Sequence, residues 1–397
     1  MAVASQKNPY RPGVGLRPTH LTGRDGEVRR FIETIKGAPE IPANIRLTGL
    51  RGVGKTVLLQ RLDEVAQEQE WATLQLELQP QQNSNDGLIT SLTSELEKVR
   101  EQLSRAARLK SRLGSAANAM RRLVAVEWEG ITWSLAGDLA GDAANLGGEL
   151  RETIEASLKA DKLGFAILLD EAQILTDDKT RDGEHPLSVL ISAVSTLQKL
   201  SAPIALVLCG LPTLAVNLLN ARTYSERMFI GEKVDSLPHD AARDAFVLPL
   251  HDTGYSATPN LVEAVLQEVE GYPYFIQLWG KELWQSASQA GITEINTAVL
   301  ESTRQEIYRR LDLDFYEPRI DSLTPAEQDL LLESGRCPYP PLLVSDLNTK
   351  SSKSPNNVNV LLGRLVTANV IYRQRKGQYI YTAPGFYEYL KRRRAQG

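Results

Sequence analysis

Two short stretches hold residues whose types and spacing suit phosphate chemistry. The first is Gly49-Leu50-Arg51-Gly52-Val53-Gly54-Lys55-Thr56, which reads G-x-x-x-x-G-K-T. Glycines at these points let backbone N–H groups curl around an anion with no Cβ in the way. A lysine there reaches the β- and γ-phosphates of a nucleotide, and the hydroxyl after it holds Mg²⁺. The second stretch is Gly164-Phe165-Ala166-Ile167-Leu168-Leu169-Asp170-Glu171, a continuous apolar run ending in two carboxylates. Asp170 would bind Mg²⁺ through water, and Glu171 would orient or deprotonate an attacking water. Either stretch alone also fits a plainer reading, a glycine turn or a buried strand before an acidic helix cap. Together they predict an ATP/ADP site with Mg²⁺. Gly49, Gly52, Val53, Gly54, Lys55, Thr56 and Val57 would hold the nucleotide, Thr56 and Asp170 the metal, and Lys55 and Glu171 the chemistry.

The flanking pattern supplies what must position these residues. Ala43–Thr48 suits a buried strand before the glycine loop, and Val57-Leu58-Leu59-Gln60-Arg61-Leu62 continues at helical spacing after it. A helix starting near Gly54 points its positive dipole end at the same anion. Ala72–Leu78 and Ile204–Cys209 read as further strands, and Met228-Phe229-Ile230 as a last short one. Helices are expected over about Val28–Ile35, started by Thr22 or Asp25, and over Leu88 to about Leu123, Glu149–Lys162 and Pro186–Leu200. Strands alternating with helices imply a parallel α/β sheet.

With 397 residues, 42% of them hydrophobic and 24% charged, the chain has room for two to three ordinary globular domains. No apolar run approaches a membrane span, the first ten residues lack an apolar signal core, and the two cysteines, Cys209 and Cys337, lie far apart. A cytoplasmic protein with no membrane partner is expected. The four histidines show no metal-ligand spacing, which argues against zinc. The net charge of −4 argues against a uniformly basic nucleic-acid binder. Charge is uneven, however: Glu317–Gly397 holds twelve Lys/Arg against seven Asp/Glu, or +5, which leaves −9 for the rest. A basic end on an acidic body suggests a local anionic partner.

Four segments follow from composition and pattern. Residues 1–18, rich in proline and glycine, form an extended arm outside any core. Residues 19–235 form the α/β core, with an insertion at about 88–148. Its stretch Lys98–Arg122 carries eight Lys/Arg and one Glu, as a solvated face or as a surface for DNA or a partner. Within it, Val124–Trp128 and Ile131–Leu135 suggest a β-ribbon turning at Gly130, followed over Gly137–Gly148 by a small-residue segment that reads as a flexible link or a loose helix. Residues 236–316 read as four helices, Pro238–Val247, Pro259–Glu270, Tyr274–Ala290 and Thr293–Phe315. Residues 317–397 begin with a capping box, Thr324-Pro325-Ala326-Glu327. Helices over Ser345–Lys350 and Asn356–Ala368 follow, the latter with Val360, Leu361, Leu365 and Val366 facing inward. A hairpin with the basic tip Arg373-Gln374-Arg375-Lys376-Gly377 completes a winged helix-turn-helix.

The chain resembles a P-loop ATPase of the AAA+/STAND assemblage, near its origin-recognition-like and archaeal-type branch. The resemblance rests on Leu21-Thr22-Gly23-Arg24-Asp25, the Walker A loop, Leu168-Leu169-Asp170-Glu171 as Walker B, Gly271-Tyr272-Pro273 and the terminal winged helix. It covers nearly the whole chain apart from the first residues and the insertion. It implies an α-helical lid over residues 236–316. It also implies that Gly23 and Arg24 lie near the adenine, and that Pro273 packs on the nucleotide. It further implies an arginine finger at Arg227, or at Arg222, acting on a neighbouring subunit of a homo-oligomer. Two departures stand out. Tyr274-Phe275-Ile276 occupies the usual place of the lid sensor arginine, and Cys209-Gly210-Leu211-Pro212-Thr213 offers no polar sensor unless Thr213 serves. A slow ATPase acting as a nucleotide-dependent switch fits these departures.

The alternative is a DNA-binding or protein-docking factor whose nucleotide is structural and does not cycle. Intact Glu171 favours hydrolysis. Duplex DNA would be met by Asn356, Asn357, Asn359 and Arg364 on the recognition helix. Arg373, Arg375 and Lys376 on the wing, and some of Lys391–Arg394, would meet phosphates. The winged helix could equally dock an unknown protein partner.

Overall fold

The computed structural model describes residues 7–13, 15–112, 141–177, 184–221 and 225–396. Contacts divide the chain into two units. One comprises Arg24–Gly49 and Lys55–Lys233; the other comprises Met1–Gly23, Leu50–Gly54 and Val234–Gly397.

The first unit alternates helix and strand: α1 (Asp25–Lys36), β1 (Ala43–Thr48), α2 (Lys55–Glu68), β2 (Ala72–Glu77), α3 (Asn85–Arg112), α4 (Asp142–Lys159), β3 (Phe165–Asp170), α5 (Pro186–Lys199), β4 (Ile204–Gly210), α6 (Thr213–Ala221), the short turn α7 (Ser225–Met228) and β5 (Ile230–Lys233). The strands form one parallel sheet in the order β2-β3-β4-β1-β5. Every residue of β3 and β4 is buried, as strands covered on both faces require. In a parallel sheet all carboxyl ends share one edge, where ligands bind in such folds. That edge carries Asp170, Gly210 and Gly49; the Gly49 N–H donates to the Gly210 carbonyl at 3.2 Å.

Several expectations are corrected in this unit. Neither Thr22 nor Asp25 caps α1: the cap position is Arg24, without a side-chain cap bond, and Asp25 is already helical. Residues 225–228 form a helical turn, so the last strand starts at Ile230 and not at Met228. Of the flexible link or loose helix expected over Gly137–Gly148, the part from Asp142 on is helix, with Leu146 and Leu150 forming its buried stripe. The expected β-ribbon at Val124–Leu135 and the continuation of α3 beyond Arg112 lie outside the described residues.

The second unit continues with α8 (His239–His251), β6 (Ser256–Ala257), α9 (Pro259–Val269), α10 (Pro273–Ala290), β7 (Glu294–Ile295) and α11 (Thr297–Leu311). Then come α12 (Glu317–Asp321), α13 (Pro325–Ser334), β8 (Leu342–Leu343), α14 (Val344–Lys350), α15 (Pro355–Thr367), β9 (Ile371–Arg375), β10 (Gln378–Tyr381) and α16 (Phe386–Gln396). All four helices expected between residues 236 and 316 form. A two-residue parallel pairing of β6 with β7 was not legible, being too short to show alternation. α11 starts at Thr297, four residues later than expected, capped by the Asn296 side chain. It gives way to a wider turn over Asp312–Tyr316.

At the C-terminal end the capping box at Thr324 and Glu327 forms as the sequence requires. β8 pairs with β10, and β10 with β9, in an antiparallel sheet that turns at Gly377 with φ +76°. α15 buries Val358, Leu361, Leu362 and Leu365, whereas Val360 is 54% exposed and Val366 only half-buried, a one-residue rotation from the expected face. The arm also departs from expectation. Tyr10 is buried in the core of this unit, its hydroxyl donating to the Phe246 carbonyl and its ring filling the space left open by Gly280.

Candidate nucleotide site

The glycine loop adopts the backbone its sequence calls for. Gly52 and Gly54 have φ of +82° and +85°, a region that only glycine enters without strain. α2 begins at Lys55, so the helix's N-terminal end, where the dipole favours an anion, directly follows the loop. Lys55 is 7% exposed, which is rare for a lysine, and Val53 beside it is buried.

Thr56 Oγ1 donates to Asp170 Oδ2 at 2.6 Å, and Asp170 Oδ1 accepts the Glu171 N–H at 2.8 Å. The sequence-predicted Thr56, Asp170 and Glu171 are therefore brought together at the sheet's carboxyl edge. Asp170 is 2% exposed, and Glu171 is half-buried. Cys209, at the end of the adjacent strand, senses the same charges. Burial pushes its thiol well up, Asp170 adds to the rise and Lys55 opposes it. A buried carboxylate oxygen against a hydroxyl is a hard-oxygen donor pair suited to a hard cation such as Mg²⁺. No cluster of three or more His, Cys, Asp or Glu among the described residues offers a rival metal site.

Beyond Asp170 the chain turns sharply. Glu171 sits in the left-handed region with φ 53° and ψ 30°, and caps a single tight turn over Ala172–Ile174. Gln173 in that turn is 7% exposed and was not singled out from sequence. Its Nε2 donates to Glu171 Oε2 in a short bond, and its Oε1 accepts the Leu211 N–H at 2.9 Å. The one available signal was an amide two residues beyond an acidic strand end. Thr213, the only sensor candidate on β4's exit, heads α6 with its buried hydroxyl unpartnered among the described residues.

Within the second unit, the loop residues Leu50–Gly54 have their own neighbours. The Tyr274 N–H donates to the Gly52 carbonyl at 3.2 Å, and the Arg51 N–H donates to the Thr382 carbonyl at 3.0 Å. A Cβ on Gly54 would stand 3.8 Å from Pro273, which opens α10. Tyr274 stacks on Phe315 with centroids 5.1 Å apart, and the Arg319 guanidinium lies 4.2 Å from the Phe315 centroid. Burial, and then the charge of Arg51, lowers the Arg319 pKa to about 10.

Gly23 has φ +67°, and a Cβ there would collide with Ala241; buried Arg24 pairs with Glu27 at 3.3 Å. Arg227 is exposed on α7, and Arg222 lies outside the described residues. Asn356, Asn357, Asn359 and Arg364 are exposed on α15, as are Arg373, Arg375 and Lys376 on the hairpin. Of the terminal basic run, Arg392 is committed elsewhere: it pairs with Asp312 at 2.7 Å.

Comparison with known proteins agrees with this geometry. Residues 20–208 match the family model of an AAA ATPase domain, and residues 313–390 match a domain of unknown function. The chain is similar in structure to a Walker-type ATPase of Pyrococcus abyssi, with a TM-score of 0.54, 17% identity and coverage of 96% of this chain and 98% of that one. It is likewise similar to the ORC2 protein of Aeropyrum pernix, solved in ADPNP–ADP complexes, with a TM-score of 0.54, 11% identity and coverage of 97% and 98%. The comparison with curated proteins gave no match. Among the described residues, no helix is long and apolar enough to cross a membrane.

Proposed function

We propose that the AAA ATPase domain of this chain, which binds ATP/ADP and hydrolyses ATP, works as a slow nucleotide-dependent switch on assembly or on DNA or partner binding. The observation that carries the proposal is the Thr56–Asp170–Glu171 chain of hydrogen bonds beside the glycine loop. Lys55 and the loop N–H groups would bind the phosphates. Thr56 and Asp170 would hold Mg²⁺, which supplies charge neutralisation on the phosphate oxygens. Glu171 would orient the attacking water and take its proton. Gly49, Gly52, Val53, Gly54 and Val57 would frame the phosphates, and Gly23, Arg24 and Pro273 the rest of the nucleotide.

The switch reading is supported by two hydrogen bonds of the loop within the second unit. Gly52 and Arg51 spend backbone hydrogen bonds on Tyr274 and Thr382, so a change in the loop's occupancy has direct partners to disturb. The departures at Tyr274 and Thr213 favour slow turnover. Arg227 as a finger in trans, and hence a homo-oligomer, is supported by its exposure and by the exposed apolar side chains of Val216 and Leu219 on α6 and Ile230 on β5.

The elements from α13 to β10 follow the helix, strand, helix, helix, hairpin order of a winged helix, and we read them as one. Its exposed basic hairpin and the asparagine face of α15 favour duplex DNA, with Val360 exposed among them. Docking of a protein partner is the second reading, supported by the same exposed Val360. The decisive experiment is to measure ATP binding and turnover separately in Lys55→Ala and Glu171→Gln.

A further inference from the structure

The Glu171 carboxylate is not held by its own backbone alone. Its main chain is in the left-handed region, which for a non-glycine residue persists only where the surroundings enforce it. Two contacts on Gln173 and one on Leu175 supply that enforcement. The Leu211 N–H donates to Gln173 Oε1 at 2.9 Å, and Asn217 Nδ2 donates to the Gln173 carbonyl at 2.9 Å and the Leu175 carbonyl at 3.2 Å. Gly210 leaves room for the amide, since a Cβ there would collide with Gln173 Oε1.

These contacts also settle which way the amide faces. The Leu211 N–H can only donate, so it must meet the oxygen of Gln173. The nitrogen then faces Glu171 and donates to Oε2. Glu171 Oε1 makes no hydrogen bond among the described residues, and Glu171 is half-exposed. A carboxylate gripped at one oxygen by a fixed donor, with the other open, is oriented to accept a proton from water at the open oxygen.

We infer that Gln173 is the positioning residue for the hydrolytic carboxylate: its amide, fixed by Leu211 and seated over Gly210, aims Glu171 and ties it to the end of β4. That strand end is where the sequence offers no obvious polar side chain as a sensor. Here the end of β4 acts through its backbone, with Gln173 as the intermediary. The inference rests on Glu171 being the hydrolytic group. It goes further by naming the residue through which that group is held.

The test uses the full chain and follows ATP affinity by calorimetry, turnover by phosphate release and folding by thermal melt. Gln173→Met keeps the volume and removes both hydrogen bonds. Gln173→Glu keeps the acceptor for Leu211 and replaces the donor with a second carboxylate. Both should lower kcat by roughly ten- to hundredfold, the usual cost of losing a group that orients a reactive one, while ATP affinity stays within about threefold. Because Gln173 acts through Glu171, adding Gln173→Met to Glu171→Gln should change the residual rate by less than about twofold. A kcat in both variants within twofold of the wild type, or above it, overturns the inference, as does a full additional loss in the double variant. If Gln173→Met melts below the assay temperature, Gln173→Glu decides alone. A Glu171→Gln protein with wild-type kcat would instead overturn the assignment of the hydrolytic carboxylate.

Discussion

Thr56 Oγ1 donates to Asp170 Oδ2 at 2.6 Å, joining the residue after the P-loop lysine to the last residue of β3 across 114 positions of sequence. Neither stretch can bring its partner close; the sheet order does, with β4 set between β1 and β3 and all three running parallel. The motif pair is a prediction about the sheet as much as about the ligand.

The Thr56–Asp170 pair should govern metal dependence. Removing Mg²⁺ with a chelator should weaken ATP binding in the wild type. In Asp170→Asn, ATP affinity with Mg²⁺ should fall to near the chelated wild-type level. Calorimetry with and without Mg²⁺ checks this. An Asp170→Asn protein that keeps the full metal effect would show that the ion is held elsewhere.

Stability has a separate test away from the site. Asn44 on β1 and Gln198 on α5 exchange two hydrogen bonds, of 2.8 and 2.9 Å, and both are buried. Asn44→Ala strands the Gln198 oxygen, at a cost of about 1–3 kcal/mol. Denaturant titration should show that loss. No change in Asn44→Ala would mean that water replaces the lost partner.

Sequence reading reached the glycine loop, the sheet and most helices because each has a local signature. Glycines force the loop, an unbroken apolar run marks β3, and Thr324 with Glu327 marks the start of α13. What escaped it is tertiary. Gln173 matters because Leu211 and Gly210 meet it from another strand. Tyr10 is core only because Gly280 leaves space for its ring. On α15 the buried face was misplaced by one residue, since Val358, Val360, Leu361 and Leu362 satisfy two helical stripes and only packing chooses between them.

For Arg227 the expectation is a concentration effect. If it acts on a neighbouring subunit, ATPase activity per chain should rise with protein concentration. That rise should vanish in Arg227→Ala with ATP affinity unchanged. Flat activity from a monomer, seen by light scattering, would reject the finger.

The basic hairpin predicts salt-sensitive DNA binding. Three phosphate contacts, from Arg373, Arg375 and Lys376, imply a slope of roughly three units of log affinity per log salt, at about 0.9 per phosphate. Fluorescence anisotropy of duplex DNA with the full chain and ATP measures it. Neutralising all three should flatten the slope. No salt-sensitive binding by the intact chain would turn the domain's assignment to protein docking.

We propose that one site binds ATP through Lys55 and hydrolyses it through Glu171. The most direct measurement is ATP affinity by calorimetry alongside phosphate release, in the wild type, Lys55→Ala and Glu171→Gln. Lys55→Ala should abolish nucleotide binding. Glu171→Gln should bind ATP as the wild type does and lose turnover by on the order of a hundredfold or more, the scale of general-base catalysis. Wild-type ATP affinity in Lys55→Ala, or wild-type turnover in Glu171→Gln, would show that these residues do not bind and hydrolyse ATP.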